Sequence, residues 1–287
     1  MIHGDTKVVG VFGWPVEHSL SPAMHNAAFR VLEMPYIYVP FPVRPDAIGS
    51  AVRSLPSLGI VGVNLTIPHK ESVIPFLDEI TQEAGDVGAV NTVHCVNGML
   101  VGDNTDGRGF FQPLEELGFQ GAGKSVVVVG AGGAARSVVF RLIREGASVI
   151  LTNRTRERAE RLANDVSKAG LNGFEIEIVS SEDQDRLSQA IQASELLVQT
   201  TRVGMYPNSD ELPDIPMDAF HSELIVYDLI YNPLKTRLLQ AAELRGCRTI
   251  SGVKMLVTQG AAAFERWTGI WPPTDVMEAA VVQSLSV

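Results

Sequence analysis

Ser125-Val-Val-Val-Val-Gly-Ala-Gly-Gly-Ala-Ala135 is the stretch on which the reading of this chain turns. Its unbroken valine run predicts a strand buried on both faces, because a strand with one wet face would alternate apolar and polar residues. Gly130-Ala131-Gly132-Gly133-Ala134-Ala135 follows at once, spaced as G-x-G-x-x-A, and helical periodicity runs over 131–145. Strand, glycine turn and helix in that order predict a dinucleotide cradle. Gly130 permits the tight turn, Gly132 lets backbone approach a pyrophosphate, and Ala135 lets the helix pack close to the strand. The N–H groups at the helix start are then available to phosphate oxygens. A tight βα turn that only needs small residues is the competing reading, and the strand–turn–helix context favours the nucleotide.

Downstream, strand-like runs recur at 147–152, 174–179, 196–199 and 224–227, with a helical pattern at 156–168. Strands alternating with helices of this length predict βαβ units and a parallel sheet. The end of the second strand refines the cofactor. An NAD site places an acid there for the ribose 2′-hydroxyl. This chain instead has Asn153-Arg154-Thr155, starting 23 residues past Gly130, and no Asp or Glu before Glu157. Arg154 offers a planar donor fork suited to a 2′-phosphate, and Asn153 and Thr155 add neutral hydrogen-bonding groups. Arg158, four residues on, shares the face of Arg154 if a helix starts here. These residues point to NADP rather than NAD. Arg156 reads better as part of a solvated helix face.

Upstream, 7–12, 36–39 and 60–67 read as strands, and 71–81 as a helix begun after Pro68. Asn97-Gly98 sits between the apolar ends of 93–101 and predicts a type I′ hairpin, whose two central residues need positive φ. A helix over 106–117 is stopped by Gly118, and from Val253 the chain is mainly helical, broken at Trp271-Pro-Pro. The expected class is α/β in two domains: an N-terminal α/β substrate domain and a Rossmann-type parallel-sheet domain.

The N-terminal part carries polar residues at strand ends. In Gly13-Trp-Pro-Val-Glu-His-Ser-Leu-Ser-Pro-Ala-Met-His-Asn26, Ser19 and Ser21 would point the same way on an extended segment, as a pair holding a carboxylate. The alternative is a helix N-cap at Ser21 with Pro22 at the first helical position. Asn64 and Thr66 alternate with apolar neighbours on one strand, followed by Lys70. Gly88-Ala-Val-Asn-Thr92 gives Asn91, and Gly102-Asp-Asn-Thr-Asp-Gly107 gives Asp106 at a helix start. An amine and a carboxylate suit proton transfer to and from a hydroxyl. Taken alone, Lys70 reads equally as a solvated lysine opening a helix.

Composition bounds the rest. The 287 residues carry a net charge of −10 and 45% hydrophobic residues, enough for sizeable cores and unsuited to a polyanionic nucleic-acid partner. The two cysteines, Cys95 and Cys247, match no metal spacing, and no metal is expected. Neither a secretory leader nor a membrane span is read, so a cytoplasmic enzyme is expected. His18, His25, His69 and His94 read as structural hydrogen-bonding residues.

Taken together, these segments resemble the shikimate dehydrogenase family. G-x-P-x-x-H-S-x-S-P-x-x-H-N is matched at 13–26, N-x-T-x-P-x-K at 64–70, G-A-V-N-T at 88–92 and G-x-N-T-D-G at 102–107. G-A-G-G-A-A-R follows at 130–136, N-R-T at 153–155, and Gln259 in Met255-Leu-Val-Thr-Gln-Gly-Ala. The resemblance implies reversible NADPH-dependent reduction of 3-dehydroshikimate to shikimate, a step toward aromatic amino acids. It implies Lys70 and Asp106 as the catalytic pair, Ser19 and Ser21 on the substrate carboxylate, and Asn64, Thr66, Asn91 and Gln259 on ring hydroxyls. Tyr231 would lie near the substrate, Thr201, Val203, Met205 and Met255 near the nicotinamide, and Gly252 among the cofactor-binding residues. It further implies a discontinuous substrate domain, 1–104 plus 256–287, around an NADP-binding domain, 105–255, and allows a homodimer. Arg202 departs from the smaller residue expected there. Within the superfamily the rival is a quinate-preferring enzyme, which the resemblance associates with a Thr in place of a serine. Outside it, the rival is a catalytically silent, nucleotide-sensing binding protein.

Overall fold

The computed structural model describes residues 2–171 and 176–286. The chain divides into two compact units, Met1–Gly109 with Val257–Val287, and Phe110–Leu256.

The first unit starts β1 (Lys7–Gly13), α1 (Ser21–Val31), β2 (Tyr36–Pro42), α2 (Ile48–Arg53), β3 (Ile60–Leu65) and α3 (His69–Ser72). It continues β4 (Glu79–Ile80), α4 (Gln82–Val87), β5 (Thr92–Val96), β6 (Met99–Asp103) and the start of α5 (Asp106–Glu116). The six strands form one mixed sheet in the order β2-β1-β3-β5-β6-β4. β1 runs parallel to β2 and β3, while β5 pairs antiparallel with β3 and β6. Asn97 and Gly98 join β5 to β6 with φ of 52° and 82°, the two positive values the hairpin turn requires. Phe12, Val63, Val93 and Leu100 from the strands meet Ile48, Val52 and Leu55 in one apolar core.

Two expectations in this unit need correction. Residues 71–81 do not form a helix. α3 ends at Ser72, a 3-10 turn covers Ile74–Phe76, and β4 follows. Pro75 has no N–H to donate to the carbonyl of Glu71, so the helical ladder cannot continue. Asp78 instead joins the sheet edge, taking the Leu100 N–H on its carboxylate at 2.7 Å. Ser21 is not a helix cap either. Leu20 occupies that position, and no side chain caps α1. Ser19 and Ser21 therefore do not share an extended segment; Ser21 is the first residue of the helix.

The second unit holds β7 (Ser125–Val129), α6 (Gly133–Arg144), β8 (Ser148–Asn153), α7 (Arg156–Lys168) and β9 (Ile176–Ser180). Then come α8 (Gln184–Gln192), β10 (Leu196–Gln199), β11 (Ile225–Asp228), α9 (Arg237–Leu244) and β12 (Arg248–Ser251). Phe174 and Glu175 of the expected 174–179 strand lie outside the described residues. Its sheet is parallel throughout, in the order β12-β11-β10-β7-β8-β9. Counted from β7, that is the doubly wound order 3-2-1-4-5-6, whose switch point lies between β7 and β10. Val126, Val127 and Val128 are fully buried, as a strand covered on both faces requires.

The chain returns through α10 (Gly252–Thr268) and ends in α11 (Thr274–Leu285). From Val257 onward these belong to the first unit. Trp267 explains the attachment: its indole donates to the Val93 carbonyl at 3.2 Å, and Gly62 leaves the room, since a Cβ there would sit 2.3 Å from Trp267 Nε1.

Asp228, at the end of β11, is fully buried. Its carboxylate accepts from Ile230 N at 3.1 Å and from the Thr236 hydroxyl at 2.6 Å. Burial outweighs both bonds and pushes its pKa up to about 6. An unfolded aspartate titrates near ~3.9, so the folded chain binds the extra proton between those values. The stability this group contributes is therefore present at acid pH and lost as pH rises from about 4 to about 6. Two pKa units correspond to about 3 kcal/mol. Asp228→Asn should abolish this slope in melting temperature measured from pH 4 to 7. Parallel profiles for variant and parent would refute the assignment.

Candidate active site

In the first unit, the ends of β3, β5 and β6 deliver a connected polar cluster into a mostly apolar body. Lys70 lies in the short α3, just past β3, and its Nζ donates to Asp106 Oδ2 at 2.5 Å. The other carboxylate oxygen accepts from Asn91 Nδ2 at 2.8 Å. Asp106 opens α5 and is 7% exposed, while the Lys70 side chain is one-third exposed. Its carboxylate is thus fixed at both oxygens. An ammonium has three N–H donors, so two remain for a ligand.

Asn91 is held just as tightly. Its carbonyl oxygen accepts from Thr105 N at 2.8 Å and from the Thr92 hydroxyl at 3.0 Å. Its amide also reaches Thr105 Oγ1 at 2.9 Å and Gln259 Oε1 at 3.4 Å. Asn64 donates to the backbone carbonyl of Asn91 and to Thr92 Oγ1, and accepts from the Tyr38 phenol at 2.8 Å. Burial pushes the Tyr38 phenol far above its ordinary range, and a hydrogen bond with Ser21 opposes that rise. The phenol therefore stays a neutral donor. A chain of hydrogen bonds runs Ser21–Tyr38–Asn64–Asn91–Asp106–Lys70. Such a network is worth most when every member is satisfied, and it fixes the orientation of its terminal groups.

The second unit carries the glycine loop. Gly130 has φ of +112°, and a Cβ there would sit 2.4 Å from Thr200 Oγ1, so both conformation and room demand glycine. Gly132 precedes α6 and Gly133 begins it, and nothing lies within 4 Å of a Cβ built on either. The start of α6 therefore faces open space with unpaired N–H groups. Alongside lies a cavity of about 820 Å³, lined by Gly130, Asn153, Arg154, Arg158, Thr201 and Val203. Among the described residues neither Arg154 nor Arg158 is held in a side-chain ion pair, unlike Arg156, which takes Glu160 at 2.8 Å. A cavity with free guanidiniums beside a helix N-terminus suits a phosphorylated ligand.

Comparison with known proteins fits both sites. Residues 11–93 match the profile of the shikimate dehydrogenase substrate binding domain. Residues 115–218 match shikimate / quinate 5-dehydrogenase, and 252–282 the shikimate 5′-dehydrogenase C-terminal domain. Over 287 residues the chain is 50% identical to the NADP(+) shikimate dehydrogenase of Methanopyrus kandleri, covering 99% of this chain and 98% of that relative. The chain belongs to the shikimate dehydrogenase family.

Among solved structures of shikimate dehydrogenases, one in complex with NADP+ superposes with a TM-score of 0.93 at 41% identity, over 99% of this chain and 98% of that one. The Thermus thermophilus enzyme, in complex with NADP(H) and shikimate, gives 0.85 at 37% identity, over 97% and 100%.

Against the family pattern, Lys70, Asp106, Asn91, Asn64, Ser21 and Gln259 fall in one cluster or hydrogen-bond directly to it. Thr66 lies just past β3, its N–H on the Phe12 carbonyl at 3.0 Å, and Ser19 accepts the Ser21 N–H at 3.3 Å. In the second unit, Thr155 precedes α7, and its carbonyl takes the Asn153 amide at 2.8 Å. Gly252 serves packing: a Cβ there would sit 2.2 Å from the Leu229 carbonyl oxygen. Met205 follows Gly204 in the loop after β10, Met255 lies in α10, and Tyr231 lies in the loop after β11 with its phenol pKa raised by burial.

The histidines divide. His69 Nε2 lies 2.8 Å from the Val43 carbonyl, a structural hydrogen bond as expected. His25 corrects the expectation, because among the described residues neither of its ring nitrogens has a hydrogen-bond partner. It is held by stacking, 4.3 Å from the Tyr38 ring at 2° and 6.1 Å from Phe264 at 5°. Burial lowers its pKa to about 3, so it remains neutral. Sequence reading missed Tyr38, Thr92 and Thr105, which look like ordinary sheet and loop residues. For Thr105, the signal was its place in a polar run that ends up almost wholly buried.

Asn91→Ala should remove the donor to Asp106 and orphan Thr105 N inside the cluster. The expected loss is about 1–3 kcal/mol, read from urea unfolding at constant slope. Unchanged stability would mean that the cluster tolerates an unpaired carboxylate oxygen.

Proposed function

We propose that this chain catalyses the reversible reduction of 3-dehydroshikimate to shikimate with NADPH. The observation that carries the reading is the Lys70–Asp106 pair at the end of a saturated hydrogen-bond network, in a chain half identical to a named enzyme of that activity. The cofactor, when bound, supplies the electron pair and the hydrogen that goes with it.

The residues present fit that group. Gly130 makes the turn with its N–H on the Thr152 carbonyl at 2.8 Å, and Gly132 and Gly133 face open space, so that Ala131, Gly132, Gly133 and Ala134 would carry the pyrophosphate at the start of α6. β8 ends in Asn153-Arg154-Thr155 without a carboxylate, and Arg158 stands one turn further on. In this reading Arg154, Arg158, Asn153 and Thr155 hold the 2′-phosphate. Thr201, Val203, Met205 and Met255 border the nicotinamide, and Gly252 joins the cofactor-binding set.

In the substrate unit, Lys70 meets the oxygen of the reacting carbonyl. Its N–H groups stabilise the negative charge that gathers there, and one proton passes to that oxygen. Asp106, fixed by Asn91, aims the amine and accepts from a neighbouring ring hydroxyl. In the oxidative direction the same amine takes the proton back. Ser19 and Ser21 hold the carboxylate with hydroxyl donors; Asn64, Thr66, Asn91 and Gln259 hold the ring hydroxyls, and Tyr231 is a further substrate-binding candidate. Asn64 is already occupied on its oxygen and both N–H groups, so its main contribution is to orient Asn91 and Thr92.

We place this enzyme in the cytoplasm. No helix of the described residues is long and apolar enough to cross a membrane, and Cys95 and Cys247 are free thiols.

Absorbance at 340 nm with shikimate should rise faster with NADP+ than with NAD+, and faster than with quinate. Activity confined to quinate or NAD+ would overturn the substrate or cofactor reading while leaving the fold intact. Lys70→Ala should lower turnover by roughly 10²–10⁴ with little change in substrate affinity. Turnover close to the parent would remove Lys70 from the chemistry.

A further inference from the structure

Arg202 is the residue of the glycine-loop neighbourhood for which the family pattern gives no reason. It lies in the loop after β10 and is exposed, but it lines the same cavity as Arg154 and Arg158. Among the described residues its side chain is held in no ion pair, whereas Arg237 of the same unit is fixed on Asp210 at 2.6 Å. Its backbone is pinned on both sides. Thr201 N donates to Gln199 Oε1 at 3.0 Å, and Val203 N to Thr201 Oγ1 at 3.2 Å. The Arg202 carbonyl takes Met205 N at 3.1 Å. A pinned backbone with a free guanidinium is suited to a ligand.

Sheet order sets what that ligand can be. β8 and β10 flank β7 on opposite sides, so Arg154 and Arg202 follow the two strands next to the glycine-loop strand. Adjacent strands lie about 4.8 Å apart, which puts the ends of β8 and β10 about 10 Å apart. A flat ring contacted on both faces needs about 3.5–4.0 Å on each side, a span of about 7–8 Å. Side chains as long as arginine, rising from backbone that far apart, can reach the two faces of one planar ring, and guanidinium planes stack on aromatic faces.

Charge argues for a base rather than a second phosphate on this wall. Glu211 and Asp214 also line the cavity. The Glu211 carbonyl lies 3.1 Å from where a Cβ on Gly204 would sit, which places that acidic segment on Arg202's loop. Carboxylates beside Arg202 repel phosphate and leave a neutral base undisturbed. On the opposite wall, Arg154 and Arg158 have no carboxylate of the β8 end beside them.

We propose that Arg202 stacks on the adenine base of the bound dinucleotide, opposite Arg154, and so recognises the adenosine rather than its 2′-phosphate. The proposal rests on the NADP reading above, and the probes separate the two.

The full chain is titrated by calorimetry with 5′-AMP and with adenosine 2′,5′-bisphosphate. Arg202→Ala should weaken both by a similar factor, roughly 3- to 10-fold, the scale of a guanidinium–ring contact. Arg202→Phe, which keeps a flat face without charge, should recover most of that loss for both probes. Arg158→Ala should weaken only the bisphosphate. A loss for Arg202→Ala confined to the bisphosphate would make Arg202 a phosphate ligand and overturn the proposal, as would unchanged binding of both probes. Parent protein that binds AMP as tightly as the bisphosphate would refute the NADP reading alone, leaving Arg202 tested by the AMP titration.

Discussion

The contact on which the first unit depends is the Lys70–Asp106 ion pair with Asn91 behind it. A carboxylate as buried as that of Asp106 is unfavourable unless both oxygens are met by donors. Meeting them takes parts far apart in sequence: the end of β3 with α3, the start of β5, the end of β6 and a turn of α10. Thr105 binds the Gln259 carbonyl at 3.0 Å, and Arg266, two helical turns past Gln259, binds Asp103 at 2.8 Å. Two anchors seven residues apart on one helix fix both its position and its rotation. Asp103 also takes the Thr81 hydroxyl at 2.7 Å, so the segment carrying Asp106 is tied to β4 as well as to the helix.

The second unit solves a different problem with different means. Its parallel sheet is apolar on both faces, so specificity has to come from the carboxyl ends of the strands, where loops leave the core. There the chain offers backbone N–H groups at the start of α6 and the guanidiniums of Arg154 and Arg158, which hold no side-chain ion pair among the described residues. Asp228 shows what happens when a charge stays inside such a sheet. Even with two hydrogen bonds its pKa rises to about 6, because burial costs the anion more than two donors return.

How much of this was legible follows from the range of the interactions involved. Ser125–Val129, Arg156–Lys168 and the Asn97-Gly98 turn were readable because each is decided locally, by periodicity or by a φ requirement. Residues 71–81 were misread because the break at Pro68 suggested a helix start while Pro75 forbade its continuation, and the sheet edge captured Asp78. The catalytic candidates were legible as residue types at strand ends, but the reason they hold their positions was not. Tyr38 enters the site only because β1 lies between β2 and β3, and a phenol on β2 reaches Asn64 across it. His25 escaped for a similar reason: its partners are ring faces from other elements, and stacking leaves no local pattern in sequence.

The two sites therefore respond to change in different ways. In the polar cluster each side chain satisfies several others, so removing one member orphans its neighbours and the loss appears in folding as well as in chemistry. In the cavity beside the glycine loop, Arg154, Arg158 and Arg202 hold no side-chain ion pair among the described residues. Removing one leaves no buried group unpaired, and the loss falls on ligand affinity alone. The Lys70 side chain stands between these cases, since one of its donors completes the cluster and the others face outward. On the function proposed above, Lys70 both finishes a buried network and moves a proton, and it cannot be exchanged for a residue that does only the first. Arginine at position 70 would keep the pairing with Asp106 and the positive charge, but it would hold its protons too strongly to pass one on.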